Sequence, residues 1–409
     1  MLALPLLLTS CEDILGHWER PTYNAGGGEG GGTTEPTMLE TPLTFEAKTA
    51  GAKVTFIAND DAIEKTVEYS TDGGTTWTSK STNKTAGGIP VTLNNVGDKV
   101  MFRGTNDCYG TSTNYNHFTC SADCYVYGNV MSLINKDNYA TNKKLTATHT
   151  FRNLFLNNDK IFSHDTKTLE LPATTLSDNC YCNMFELCTK LTKAPALPAT
   201  TLTSHCYYYM FNHCEALTTA PALPAETLAE YCYQYMFGSC TALATAPTLP
   251  ATEMKNYCYS FMFSNCTTLT TAPNLPATTL ANYCYYQMFN GCKALTTAPE
   301  LPVTTLKEGC YQYMFGSCTA LTKAPKLPAT TLVKACYWGM FNGCTILNEA
   351  WVAADYKATD YESYEMFTNC DNGTSPKGKL HTATTSGAWT AGTGMPANWL
   401  ISNDYNPAP

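Results

Sequence analysis

Cysteine offers this chain its widest choice of chemistry, and the stretch CYWGMFNGC, residues 336–344, sets two cysteines eight apart around Tyr, Trp, Met and Phe. Such a pair can hold a metal, form a disulfide, supply a nucleophile or simply pack. Its recurrence narrows the choice. Reading backwards gives CYQYMFGSC at 310, CYYQMFNGC at 284, CYSFMFSNC at 258, CYQYMFGSC at 232, CYYYMFNHC at 206 and CYCNMFELC at 180, in steps of 26 residues. The Leu-Pro pairs at 171, 197, 223, 249, 275, 301 and 327 keep the same step. A fixed period in this range marks a solenoid or a propeller, and a pattern used seven times is better suited to packing than to a single chemical event.

Placed on a helix at 100° per residue, the Cys, Tyr, Met, Phe and second Cys of CYxxMFxxC fall in one arc of about 140°, which predicts a short helix with one buried stripe. Eight residues of helix rise about 12 Å, whereas a disulfide needs Cα atoms within about 7 Å. A bond inside one repeat is therefore excluded unless the helix ends early. A bond between neighbours, such as Cys214 with Cys232, stays open. No C-x2-C pair or nearby histidine set supplies the four convergent ligands of structural zinc. The expected role of these thiols is packing, since free cysteine behaves as a small buried hydrophobe. The seven histidines, at 17, 117, 149, 164, 205, 213 and 381, are scattered; only His205 and His213 share a repeat. With no Gly-rich phosphate loop, GxSxG or HExxH, the chain reads as a non-enzyme without cofactor or metal.

The 409 residues are 44% hydrophobic and carry a net charge of −9. That charge argues against a nucleic-acid partner, which needs clustered Lys and Arg, and no run of about 20 apolar residues is present to span a bilayer. Twenty cysteines favour an oxidising compartment or a structural use of thiols. The opening MLALPLLLTSC resembles a bacterial lipobox without the usual basic start, and the resemblance makes Cys11 the lipidated first residue of the mature protein. Glu12 and Asp13 are similar to the surface-export cue of some Gram-negative lipoproteins, and AGGGEGGGTTEPT, residues 25–37, is a flexible tether. The expected location is the bacterial cell surface, as an outer-membrane lipoprotein.

From residue 39 to 128 apolar residues alternate (Val54, Phe56, Ala58; Val67, Tyr69; Val91, Leu93; Val100, Phe102) between turn signals, which predicts a small antiparallel β-sandwich-like domain. Within it Ser70, Asp72, Gly74 and Trp77 match the S-x-D-x-G-x-x-W Asp box of sialidase propellers. In those proteins it is a structural hairpin, and nothing catalytic accompanies it here. Cys108, Cys120 and Cys124 are an odd set, so at most one pair forms locally.

The second half of each repeat, such as LTKAPKLPATTL at 321–332, has inward Leu positions and two prolines that forbid a helix. The expected fold is α+β: a leucine-rich-repeat solenoid with a short strand and a short helix per 26-residue repeat, preceded by the β domain. The frame MFxxCxxLTxAPxLPxxxLxxxCYxxMFxxC resembles the BspA-like bacterial leucine-rich repeats, with a longer period and Met in place of Ala before the Phe. The implied organisation is a signal at 1–11, a tether at 12–38, the β domain at 39–128, a linker and N-terminal capping repeat at 129–170, seven repeats at 171–351, and a degenerate repeat with C-terminal cap at 352–409.

That resemblance implies a surface binding or adhesion role using protein–protein contacts. Outward strand positions, two and five after the register Leu, are Lys193, Ala196, Thr219, Ala222, Thr245, Thr248, Thr271, Asn274, Thr297, Glu300, Lys323 and Lys326. A second candidate surface is the aromatic row Tyr208, Tyr209, Tyr235, Phe261, Tyr286, Tyr313 and Trp338 inside CYxxMF, which either contacts a ligand or fills the gaps between adjacent repeats. Three functions follow: a protein-binding adhesion protein, a glycan-binding accessory lipoprotein that uses the β domain or the aromatic row and loses its ligand on substitution of Trp338 or Trp77, and a structural surface-coat component.

Overall fold

The computed structural model describes residues 37–59, 64–82, 88–370, 378–383, 389–392 and 394–406. The proposed lipobox cysteine and nearly all of the tether lie outside them.

Eight strands open the described chain: β1 (Leu43–Ala47), β2 (Ala52–Ala58), β3 (Thr66–Ser70), β4 (Thr78–Ser81), β5 (Ile89–Leu93), β6 (Lys99–Gly104), β7 (Asn116–Cys120) and β8 (Cys124–Asn129). Strand alternation sends Val54, Phe56, Val91, Val100 and Phe102 inward, all at most 6% exposed. Strands β8-β1-β6-β3-β4 form one antiparallel sheet and β5-β2-β7 another. Phe45, Phe102 and Phe118 meet between them, with ring centroids 4.8–6.0 Å apart. Strands β9 (Ile161–Ser163) and β10 (Leu169–Glu170) then add in parallel to β8. Gly128 sits at this junction with φ +86°, where a Cβ would meet the Pro42 carbonyl oxygen at 2.2 Å; only glycine allows that approach.

The stretches read as helices are not helices. Among the described residues the only helical element is a 3-10 turn at Val130–Leu133, so the expected α+β fold with one helix per repeat is overturned. Each CYxxMFxxC is instead a ribbon of consecutive turns with a period of four. Its donors alternate: Cys206, Tyr208, Met210, Asn212 and Cys214 N–H groups bond the carbonyl three residues back, while Tyr207, Tyr209, Phe211 and His213 bond carbonyls 25 residues ahead, in the next unit. Every N–H of the nine is satisfied without an α-helix. The chain turns at each fourth residue through positive φ: His205 at 54°, Tyr209 at 54°, His213 at 58°. Two residues face in, two face out, and so on. Inward positions 0, 1, 4, 5 and 8 fit a period of four as well as one of 3.6 over nine residues, which is why the stripe suggested a helix.

The expected strand per repeat is mostly absent too. Single parallel bridges such as Lys193↔Thr219 and Thr245↔Thr271 link the earlier units, because two prolines per unit remove the donors a ladder needs. Only at the C-terminal end do strands β11 (Lys323–Leu327), β12 (Glu349–Val352) and β13 (Lys379–Thr382) pair in parallel. Short strands β14 (Thr390–Ala391) and β15 (Gly394–Met395) pair with each other, and β16 (Leu400–Ser402) pairs with β13.

Columns of identical side chains fill the stack. Phenylalanine rings run from Phe155 through Phe185, Phe211, Phe237, Phe263, Phe289, Phe315 and Phe341 to Phe367 at 5.2–5.8 Å. Phe118 of β7 stacks on Phe155, so the β-domain core runs into this column. Phe151 and the seven Tyr of CYxxMF make a second column at 5.7–6.0 Å. Trp389 and Trp399 close the far end against Phe367.

Candidate functional site

The thiols form the most regular polar feature of the interior. From Cys188 to Cys370 the second cysteine of each unit donates its S–H to the Phe carbonyl of the preceding unit at 3.0–3.1 Å. These cysteines are at most 4% exposed. Burial pushes Cys266 and Cys344 up to about 12, against a slight pull down from a backbone N–H. A thiol that stays protonated is neither nucleophile nor metal ligand. Among the described residues no three His, Cys, Asp or Glu are arranged to hold a metal.

The outward residues of the turn ribbon make an aromatic surface. His205, Tyr231, Tyr257 and Tyr283 stack face to face at 4.6–4.9 Å. Beside them Tyr209, Tyr235 and Phe261 stack at 4.1–4.3 Å. Tyr208 leans on Tyr209, Tyr286 meets Phe261 and Tyr283 edge-on, and Trp338 stacks on Tyr361 while touching Tyr313. Where a column is interrupted, glycine takes the ring: a Cβ on Gly309 would meet Tyr283 at 2.2 Å, and one on Gly339 would meet Tyr313 at 2.4 Å. Within one pair of units the outer rings of Tyr257 and Tyr283 are 4.9 Å apart and the inner rings of Tyr259 and Tyr285 are 5.9 Å apart.

All seven aromatics expected at the surface are half-buried on this one face, and their ring faces are largely covered by one another. Trp338 Nε1 is buried without a partner among the described residues, and the Tyr313 hydroxyl is bonded to Glu365. The sequence reading missed His205, Tyr231, Tyr257 and Tyr283, which precede the first Cys and which a helical projection leaves unplaced. Their signal was available in the positions four apart, before the Cys and three and seven after it, which hold Asn, Tyr, Ser, Gly and others from 179 to 369 but no Val, Ile or Thr. β-Branched residues are the ones that positive φ excludes most strongly.

Carboxylates border the aromatics. Asp178 accepts from the Ser204 N–H at 3.0 Å, Glu186 from Asn183 and from Asn212 Nδ2 at 3.1 Å, Glu230 from Asn256 Nδ2 at 2.8 Å, and Glu365 from the Tyr313 hydroxyl at 3.1 Å. Each is oriented by a neutral donor. Glu308 differs: Lys334 Nζ at 2.7 Å pairs with it, and that bond together with the Tyr283 hydroxyl holds its carboxyl below the usual range. Burial and then the neighbouring carboxylates raise Tyr283 and Tyr313 to about 12, so both phenols remain donors.

The other candidate surface is flat and sparse. Ala196, Thr219, Ala222, Thr245, Thr248, Thr271, Asn274, Thr297 and Glu300 are exposed, as is Lys193; Lys326 is partly buried, and Lys323 pairs with Glu349 at 2.7 Å. Thr218 and Thr296 hydroxyls donate to the Thr192 and Thr270 carbonyls at 3.3 Å. The surface carries no concentration of charge or rings.

In the β domain the Asp box is a closed turn. Asp72 accepts from the Thr76 N–H and hydroxyl and from the Ser70 hydroxyl, and Trp77 Nε1 donates to the Gly74 carbonyl at 2.9 Å. The Arg103 guanidinium lies 3.9 Å from the Trp77 ring centre and pairs with Glu68 at 2.6 Å, so one face of that ring is occupied.

No family model, curated protein or solved structure matches the chain.

Proposed function

We propose that this is a non-enzymatic binding protein that grips a protein partner with the aromatic face of its turn ribbons, in keeping with the BspA-like resemblance and with lipid anchoring at a bacterial surface through Cys11. One observation carries the reading: the outward rings from His205 to Tyr361 stack on one another, so that their faces are taken up within the row. Sugar rings bind aromatic faces, which here are mostly covered. Protein partners use the edges, hydroxyls and rigid apolar bulk of Tyr and Trp. The bordering carboxylates favour a partner with a basic contact surface and give the association a salt dependence.

The test immobilises the chain from residue 12 and presents purified surface and extracellular proteins beside polysaccharides. The expected result is saturable binding of a protein that falls at least tenfold in Tyr235→Ser and Trp338→Ala, with Thr271→Ala unchanged. Binding to a polysaccharide alone, abolished by Trp338→Ala or Trp77→Ala, would establish the glycan reading instead. Self-association with no other ligand would favour a structural coat.

A further inference from the structure

The turn ribbons hand their hydrogen bonds forward, and the last ribbon has no successor. In the unit before it, the Gly339, Phe341 and Gly343 N–H groups donate to the carbonyls of Tyr364, Met366 and Thr368 at 2.8–2.9 Å. One repeat on, the same positions are Glu365, Phe367 and Asn369, and after Cys370 the sequence holds no further CYxxMFxxC. Among the described residues these three N–H groups have no acceptor, although the intervening Met366, Thr368 and Cys370 N–H groups bond three residues back as their counterparts do. Phe367 is only 2% exposed, and a buried donor left unbonded costs free energy. A cleft of about 720 Å³ runs along these three residues; Tyr364 adds a ring from the ribbon, and Met395 and Ala397 line it from the cap. Its volume falls in the range of binding clefts, roughly 300–1,000 Å³. Glu365 is the only charged residue among the described ones that line it.

We infer that this open row of donors docks a peptide segment of another protein, whose main-chain carbonyls at alternate residues take the place of the next ribbon that the sequence does not supply. The chemistry continues the existing interface by one layer, since Gly339, Phe341 and Gly343 already bond carbonyls at alternate residues. A second copy of the chain does not fit. Its own last row is made of donors too, and the acceptors at the opposite end are taken: the Thr150 and Leu154 carbonyls accept from the Tyr109 and Phe118 N–H groups of the β domain at 2.8 Å. Main-chain bonds supply affinity with little demand on ligand sequence, as when a strand adds to an open sheet edge. Tyr364, Met395 and Ala397 favour small apolar side chains beside them, and Glu365 disfavours acidic ones. The donors lie at the end of the stack and act independently of the aromatic face.

The test screens the full chain against a display library of nine-residue peptides, then follows amide hydrogen exchange with a selected peptide made synthetically. The expected result is enrichment of peptides poor in Asp and Glu, with binding that falls at least tenfold in Ala397→Trp and in Thr368→Trp, two exposed positions that line the cleft, while both variants keep the unfolding temperature of the unmutated chain. In the free chain the Glu365, Phe367 and Asn369 amides should exchange faster than those of Gly339, Phe341 and Gly343, and saturating peptide should slow them at least tenfold. Equal protection in the free chain, no enriched peptide, or a bound peptide that survives both tryptophan substitutions would overturn the inference. Binding lost in Tyr235→Ser but kept in Ala397→Trp would place the peptide on the aromatic face, and self-association abolished by Ala397→Trp would make the occupant a second copy; either result overturns it as well.

Discussion

Seventeen of the nineteen cysteines described are buried, and only Cys108 and Cys120 are partly exposed. Burial controls reactivity here, because a desolvated thiol resists losing its proton. Native alkylation before any oxidant is expected to label those two alone, with the rest reacting only on unfolding; rapid native labelling of Cys240 or Cys266 would contradict the packing. Asp72 makes the opposite case. It is exposed, but the Thr76 hydroxyl, the Thr76 N–H and the Ser70 hydroxyl hold its pKa at about 2, down from 3.8. A lowered carboxylate pKa adds stability above the unfolded value and gives it up as pH falls through the folded one. The Asp-box hairpin is therefore expected to stay intact at pH 4 and loosen toward pH 2, read from Trp77 fluorescence, and Asp72→Asn should remove that transition. An unchanged acid transition in the variant would place its origin elsewhere.

The turn ribbon is the element on which the sequence reading succeeded and failed at once. The inward pattern of Cys, Tyr, Met and Phe was legible, since burial follows from side-chain type and 26-residue recurrence. Backbone type was not, because five apolar positions in nine residues fit two periods equally. The decisive features, alternating donors and positive φ at every fourth residue, are backbone properties that leave only a faint mark: Gly at 291 and 343, Asn at 265 and 369, and no β-branched residue in that column. Stacking makes the cost of the turns bearable. Tyr231 and Tyr257 adopt φ of 58° and 57°, a conformation costing roughly 1–2 kcal/mol per non-glycine residue, and each ring then packs between two neighbours. Phe263, between Phe237 and Phe289 and fully buried, should cost about 3–5 kcal/mol on truncation to alanine, measured by chemical denaturation. Gly309→Ala should destabilise through the Tyr283 ring by roughly 1–3 kcal/mol; a neutral effect there would show that the ring does not lie on the glycine.

At the scale of the molecule, each unit bonds mainly its neighbours, with the Tyr313 hydroxyl alone reaching two units on to Glu365 among the hydrogen bonds described above, the β-domain core meets the first Phe through Phe118, and Trp399 covers the last. A stack of this kind gathers its stability from local terms that add along the array, and its end rings need cover; Trp399→Ala should lower the unfolding temperature and promote association through Phe367. The central claim is that every unit is wound from turns and none from helices, and a paired substitution tests it by sign. Ser239 and Ser317 occupy positive φ of 58° and 57°, in the column where Gly291 and Gly343 stand. Changing both to glycine relieves the left-handed strain while loosening the unfolded chain, so the account predicts a protein more stable by roughly 1 kcal/mol in denaturant titration. If these stretches were helices, the same two glycines would cost roughly 1 kcal/mol together, and a loss of that size would contradict the turn ribbon.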